Sequence, residues 1–141
     1  MTTLYLLDVN VLVALTNPSH THHHLAHEWF AKVDSWATTA LTEAGFVRLM
    51  LNPRVTGQQL STQTVLSTLS QLRAWLGWQF LPDDSSLADP VISTIGLIGH
   101  GQVTDFHLVN LAAKNGAVLA TFDTAIPAAL VGQDKTWVHL I

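Results

Sequence analysis

The sequence predicts an α/β fold in which helices cover both faces of a parallel sheet. Short apolar runs alternate along the chain with longer segments whose apolar residues have helical spacing. This alternation is typical of parallel sheets, because the crossover between two parallel strands is usually a helix. The chain has 141 residues, of which 48% are hydrophobic, so it has the length of one domain and can bury a core. We therefore expect a single domain over residues 1–141.

The strands are predicted where short apolar segments are bounded by turn-forming or charged residues. The first ends at Asp8, and Pro82 ends the third. In chain order, the predicted strands are 4–7, 35–38, 78–81, 117–121 and 136–140.

The helices are predicted from the spacing of apolar residues and from capping residues. Asn17-Pro18 and Asn52-Pro53 are interpreted as helix ends, and Gly116 as a residue that follows a helix. Pro90 suits the first turn of another helix. In chain order, the predicted helices are 9–15, 23–33, a helix capped by Thr39 or Thr42 that stops at Asn52-Pro53, 61–76, 90–98 and 103–115.

The composition excludes several classes of protein. The low share of charged residues, 11%, with 48% hydrophobic residues excludes an intrinsically disordered chain, and the lack of cysteine excludes disulfides and thiolate metal sites. The first strand carries no basic residue before it and no apolar run reaches the length of a membrane span, so we expect a cytoplasmic protein without membrane association. A mean hydropathy of +0.31 indicates a large apolar surface that a partner or a second copy covers.

The net charge is −4, from 6 Lys and Arg and 10 Asp and Glu. This balance argues against a protein that binds nucleic acid simply by neutralising phosphates. The argument weakens if several carboxylates are gathered in one metal site, because the remaining surface would then be close to neutral.

Two acidic residues lie just after predicted strands. Asp8 comes after the first strand and Asp123 after the fourth. Sites in open α/β sheets form at the carboxyl ends of the strands, so these two side chains are candidate site residues. The structural alternative for Asp123 is that it caps a short helix beginning at Thr124.

Two further acidic residues lie on predicted helices. Glu43 and Asp105 each have apolar residues three, four and seven positions later, so each shares the helix face that packs on the core. A carboxylate there is unfavourable unless it is paired or binds a metal. For Asp105, the alternative is a first-turn residue that the helix dipole favours.

Four carboxylates that converge repel one another, so such a site requires a cation. Oxygen-only ligands favour Mg²⁺, with Mn²⁺ also suitable, over Zn²⁺. Bound Mg²⁺ keeps water ligands and recruits phosphates, which predicts metal-assisted hydrolysis of a phosphodiester.

Four short motifs occur in an order that resembles the PIN-domain ribonucleases, and among them the VapC toxins of VapBC toxin–antitoxin pairs. The likeness spans nearly the whole chain. The motifs are LLDVNVL at 6–12, TEAGFVRL at 42–49, VTDFHL at 103–108 and ATFD at 120–123.

The resemblance implies a PIN-like three-layer sandwich with a parallel, about five-stranded sheet. It also implies an endoribonuclease that depends on Mg²⁺ or Mn²⁺, acts on RNA, forms a homodimer and is inhibited by a cognate antitoxin protein. The family's acidic positions match Asp8, Glu43, Asp105 and Asp123, with Asp8 and Asp105 as metal ligands and the others positioning metal or water. Asn10 and Thr121 match polar positions of the same pocket.

Arg48 has two interpretations, as a phosphate ligand or as the partner of a carboxylate, and we favour the ion pair. The histidine-rich tract at 20–27 is interpreted as the polar start of a helix that faces solvent, with contact to RNA at the mouth of the pocket as the alternative.

Two other functions compete with the nuclease. A phosphatase that uses an aspartate nucleophile would have an acid two positions after Asp8, where this chain has Asn10, and a receiver domain would have a lysine soon after the fourth strand. A non-catalytic PIN-like binding module, which keeps the acidic residues for stability, is the remaining alternative.

Overall fold

Five parallel strands form the central sheet, as the sequence predicted. The computed structural model describes residues 2–141. The strands lie in the order β3-β2-β1-β4-β5, so the first strand is central. They are β1 (Leu4–Leu7), β2 (Ser35–Thr38), β3 (Trp78–Phe80), β4 (Val118–Thr121) and β5 (Val138–Leu140).

Helices cover both faces of this sheet and complete three layers. They are α1 (Val9–Thr16), α2 (His23–Phe30), α3 (Ala40–Met50), α4 (Pro53–Thr56), α5 (Thr62–Arg73), α6 (Val103–Lys114) and α7 (Ala125–Ala129), with short 3₁₀ helices at His100–Gln102 and Gly132–Trp137. Among residues 2–141, none of these helices is long and apolar enough to span a membrane.

The core has one part on each face of the sheet, because successive residues of a strand point to opposite sides. Leu6 of β1 belongs to a buried cluster with Leu108 of α6. Its neighbour Leu7 belongs to a second cluster with Leu12 of α1 and Phe46 of α3. The two helix layers therefore pack on a sheet that is apolar on both faces, as parallel sheets usually are.

The predicted helix over 90–98 is wrong: this segment contains only turns and bends. Its backbone groups are bound by other elements, since Val91 N donates to Asn110 Oδ1 at 2.8 Å and Ser93 N donates to Asp134 Oδ2 at 2.8 Å. These contacts with distant parts of the chain, rather than hydrogen bonds within a helix, fix its conformation.

Asn52-Pro53 ends one helix and also begins another. The side chain of Asn52 accepts a hydrogen bond from Arg54 N at 3.0 Å, and Pro53 occupies the first position of α4. Asparagine as the N-cap followed by proline is a helix start as well as a stop. The sequence interpretation recognised only the stop.

Two histidines of the 20–27 tract bind the carboxyl end of α1. His23 Nδ1 lies 2.7 Å from Ala14 O, and His27 Nε2 lies 2.8 Å from Leu15 O. A carbonyl oxygen only accepts, so both ring nitrogens donate. These rings satisfy carbonyl groups that a helix end leaves free. The solvent-facing interpretation of the tract holds for His27, which is exposed, but is wrong for His23, which is half-buried.

Candidate functional site

Asp8 lies at the carboxyl end of the central strand and is 8% exposed. Its backbone N–H donates to Ala120 O of β4 at 2.9 Å, which continues the ladder between β1 and β4. One carboxylate oxygen accepts from Val9 N at 2.8 Å and caps α1. The other accepts from Thr121 Oγ1 at 2.7 Å. Asp8 is thus held from both sides at the carboxyl edge of the sheet.

Thr121 connects Asp8 to the residues that follow β4. Its hydroxyl oxygen accepts from Asp123 N at 3.0 Å and from Asn10 Nδ2 at 3.3 Å. Asn10 Oδ1 in turn accepts from Phe122 N at 3.4 Å. Asn10 and Thr121 therefore position the Asp123 loop beside Asp8.

Asp123 is exposed, and one of its carboxylate oxygens accepts from Ala125 N at 2.9 Å. The N-cap of α7 is Thr124, so Asp123 contacts the start of this helix from one position before the N-cap role that the sequence left open for it. The side chain also acts at a distance, because its charge raises the pKa of both Asp8 and Asp105.

Asp105 is close enough to Asp8 and Asp123 for their charges to act on it. It lies in the first turn of α6 and lines a small cavity with Ala125 and Ile126 of α7, the helix that follows Asp123. Burial first, and then the charges of Asp8 and Asp123, raise its pKa from 3.8 to about 6. We call Asp8, Asp105 and Asp123 the aspartate cluster.

Burial is also the largest influence on Asp8 and raises the pKa of its carboxyl group. The hydrogen bonds from Thr121 and Val9 oppose this increase, and the charge of Asp123 adds to it. The cluster is therefore a place where negative charge is unfavourable and a cation would be stabilising.

Glu43 lies one strand further along the same edge, in a different environment. Thr38 Oγ1, at the end of β2, donates to Glu43 Oε2 at 2.5 Å. Arg73 Nη1 lies 3.6 Å from Glu43 Oε1. The side chain is 13% exposed, so this carboxylate is neutralised by an arginine in a largely buried position.

The expected ion pair of Arg48 is wrong. Arg48 is exposed and forms no salt bridge within residues 2–141, and the arginine beside Glu43 is Arg73 of α5. The sequence did not show which of the few basic side chains reaches Glu43.

The donor set of the aspartate cluster fits a hard divalent cation. All its side-chain donors are oxygen atoms, which Mg²⁺ and Mn²⁺ prefer. Within residues 2–141, no group of three His, Asp or Glu side chains is arranged to hold a metal ion. Mg²⁺ needs only one or two carboxylates, since it keeps several water ligands.

Comparison with known proteins identifies the family. A family model described as the PIN domain matches residues 5–129. Ribonuclease VapC38 of Mycobacterium tuberculosis (strain ATCC 25618 / H37Rv) is 44% identical over 138 residues, which cover 96% of both chains. Ribonuclease VapC39 of the same strain is 41% identical over 127 residues, which cover 86% of this chain and 89% of the relative.

Solved structures confirm the fold. VapC20 of Mycobacterium tuberculosis, described as a sarcin-ricin loop cleaving toxin, has a TM-score of 0.61 at 16% identity, covering 90% of this chain and 96% of that chain. VapBC2 from Rickettsia felis, solved with a DNA fragment from its promoter, has a TM-score of 0.58 at 15% identity, covering 98% of both chains. The family match and the VapC relatives together show that this chain belongs to the PIN domain family, as a protein of the VapC type.

Proposed function

We propose that this protein is an endoribonuclease that depends on a divalent metal and acts as the toxin of a toxin–antitoxin pair. The observation that carries the proposal is the aspartate cluster at the carboxyl edge of a PIN-domain sheet. The names of the relatives, which are ribonucleases of the VapC type, support RNA as the substrate.

Asp8 and Asp105 are the side chains that we propose to hold Mg²⁺ or Mn²⁺, with Asp123 beside them. When bound, such an ion activates water and neutralises the charge of a phosphodiester. Thr121 and Asn10 keep Asp8 and the Asp123 loop in place. Glu43 lies at the end of the neighbouring strand, where we propose that it orients a water molecule or the metal's ligands.

We propose a cognate antitoxin protein as a partner, since the neighbour from Rickettsia felis is a VapBC pair. The surface agrees with the expectation of a covering partner, because Leu76, Ile95 and Ile98 are 96%, 79% and 88% exposed. A second copy of the chain, forming a homodimer, is part of the same proposal.

The proposal is tested by mapping RNA ends. Purified protein is incubated with total bacterial RNA in Mg²⁺, in Mn²⁺ or in EDTA, and new 5′ ends are identified by sequencing. We expect discrete new ends with either metal and none in EDTA. A non-catalytic binding module would instead give no new ends under any of these conditions, and that result would overturn the proposal.

A further inference from the structure

A cation and two aromatic side chains form a surface next to Glu43. The Arg73 guanidinium lies 4.3 Å from the centre of the Trp78 ring and 5.6 Å from that of Phe80. Trp78 is itself fixed, because its Nε1 donates to Thr38 Oγ1 at 2.9 Å, and Thr38 binds Glu43. We call Arg73, Trp78 and Phe80 the Arg73 cluster.

The guanidinium of Arg73 is held in place but is free to bind a ligand. Within residues 2–141 it donates no hydrogen bond, and its 3.6 Å approach to Glu43 is a charge contact. The side chain remains 42% exposed. The Trp78 ring holds one side of a guanidinium whose N–H donors match the oxygens of a phosphate.

The other basic residues of the chain lie elsewhere or are already engaged. Lys114 and Lys135 donate to the backbone carbonyls of Asp84 and Pro127. Lys32 lies with Thr3 and Asp34 near the amino ends of β1 and β2, at the opposite edge of the sheet.

The two remaining arginines, Arg48 and Arg54, lie toward the carboxyl end of α3, whereas Glu43 lies in its first turn. Arg54 follows α3, and Met50 at the end of this helix lies roughly 10 Å along the helix axis from Glu43. Arg48 is exposed near the same carboxyl end. Among the described residues, Arg73 is therefore the cation in contact with a carboxylate of the candidate site.

We propose that the Arg73 cluster is a subsite for one nucleotide of single-stranded RNA, with Arg73 binding a phosphate and the exposed ring of Phe80 stacking on a base. This inference rests on the proposed function, since it places the subsite beside the bond that the aspartate cluster cuts. Phe80 is 39% exposed, and every base offers a face for stacking.

The order of the strands gives the place of the subsite. β3 lies two positions from β1, which is about 10 Å along the edge of the sheet. A nucleotide at the Arg73 cluster therefore flanks the scissile phosphate at Asp8 and does not itself react. In a chain with a net charge of −4, such a contact supplies attraction for RNA that the overall charge does not.

The test is RNA binding measured without cleavage. A fluorescently labelled pool of single-stranded RNA of random sequence is titrated in EDTA, in the Asp105→Asn background, at several salt concentrations. Arg73→Gln is expected to raise Kd about tenfold and to reduce the slope of log Kd against log[salt] by about 0.7, because one phosphate contact is lost. Phe80→Leu is expected to raise Kd about fivefold with no change in slope.

Arg54→Gln is the matched control, since it removes the same charge from the surface beyond α3. We expect it to change neither Kd nor the slope of log Kd against log[salt]. Arg73→Lys keeps the charge but loses the planar donors, so it weakens binding severalfold without changing the salt slope. This second variant also serves if Arg73→Gln fails to fold.

Arg73 could instead act only by neutralising Glu43, and a double-mutant comparison separates the two roles. If Arg73→Gln no longer weakens RNA binding once Glu43→Gln is present, the subsite is overturned. An unchanged Kd in Arg73→Gln, or no RNA binding by the background protein, also overturns it. Binding that depends on Arg73 in a protein that never cuts RNA contradicts the proposed function alone.

Discussion

Asp105→Asn is expected to lower the rate of RNA cleavage at least about 100-fold while the protein stays folded. The substitution removes one of the carboxylates that we propose to hold the metal, and the metal supplies several kcal/mol of charge stabilisation to the reaction. The measurement is the rate of appearance of the mapped 5′ ends in Mg²⁺. Asp89→Asn is the matched control, because Asp89 is an exposed aspartate in the irregular segment before α6.

The same variant is expected to be more stable than the wild type when no metal is present. The folded-state pKa of Asp105 is about 6 and its ordinary value is 3.8, so the folded state binds the proton more tightly than the unfolded state. Ionisation of Asp105 therefore destabilises the fold as pH rises from about 4 to 6, and the full effect is present above pH 6. Asp105 is half-buried, so solvent screens part of this effect. We expect Asp105→Asn to raise the free energy of unfolding by about 1 kcal/mol at pH 7.5 and to leave it unchanged below pH 4.

Urea unfolding in EDTA at pH 7.5 and pH 4 measures this increase. We expect the control Asp89→Asn to have the same free energy of unfolding as wild type at both pH values. Cleavage by Asp105→Asn at the wild-type rate would contradict the assignment of the metal site. Equal free energies of unfolding for wild type and Asp105→Asn at pH 7.5 would contradict the unfavourable negative charge at Asp105.

Gly77→Ala is expected to destabilise the fold by about 3 kcal/mol or more. Gly77 precedes β3 with φ +87°, and a Cβ built there would lie 2.1 Å from Asp34 O. Its own carbonyl oxygen accepts from Trp36 N at 3.0 Å, so the turn cannot move away without loosening the start of β3. The left-handed conformation and the clash with backbone both contribute.

Gly57→Ala separates these two contributions. Gly57 has φ +77°, but nothing lies within 4 Å of the added Cβ, so only the conformational cost of about 1 kcal/mol is expected. Both variants are compared with wild type by urea unfolding. Equal losses for Gly77→Ala and Gly57→Ala would show that the contact with Asp34 is not a constraint.

The sequence predicted the placement of the acidic residues because that placement follows from local patterns. Asp8 and Asp123 follow buried strands, and parallel strands bring their carboxyl ends to one edge. Helical spacing predicted that Glu43 and Asp105 lie on the helix faces that pack on the core. Such spacing indicates the face of a side chain but not its neighbours. That all four form one group stays a prediction: the charges of Asp8 and Asp123 act on Asp105, and Glu43 is bound by Thr38 and Arg73.

Contacts between distant segments account for what the sequence did not show. The segment 90–98 has a helix-like start, but Asn110 and Asp134 bind its backbone from other elements. Arg73 was indistinguishable from Arg48 in the sequence, because the reach of a long side chain depends on the packing of its helix. The partner of such a side chain can be identified only from the assembled structure.

A titration of Asp105 measures whether aspartates from three distant segments share one charged centre. The carboxyl carbon of Asp105 is followed by NMR against pH in metal-free wild type and in Asp8→Asn. We expect a pKa of about 6 in the wild type and a lower value in Asp8→Asn, because the charge of Asp8 contributes to the increase. A wild-type pKa near 3.8, or a value that does not change in Asp8→Asn, would contradict a shared centre.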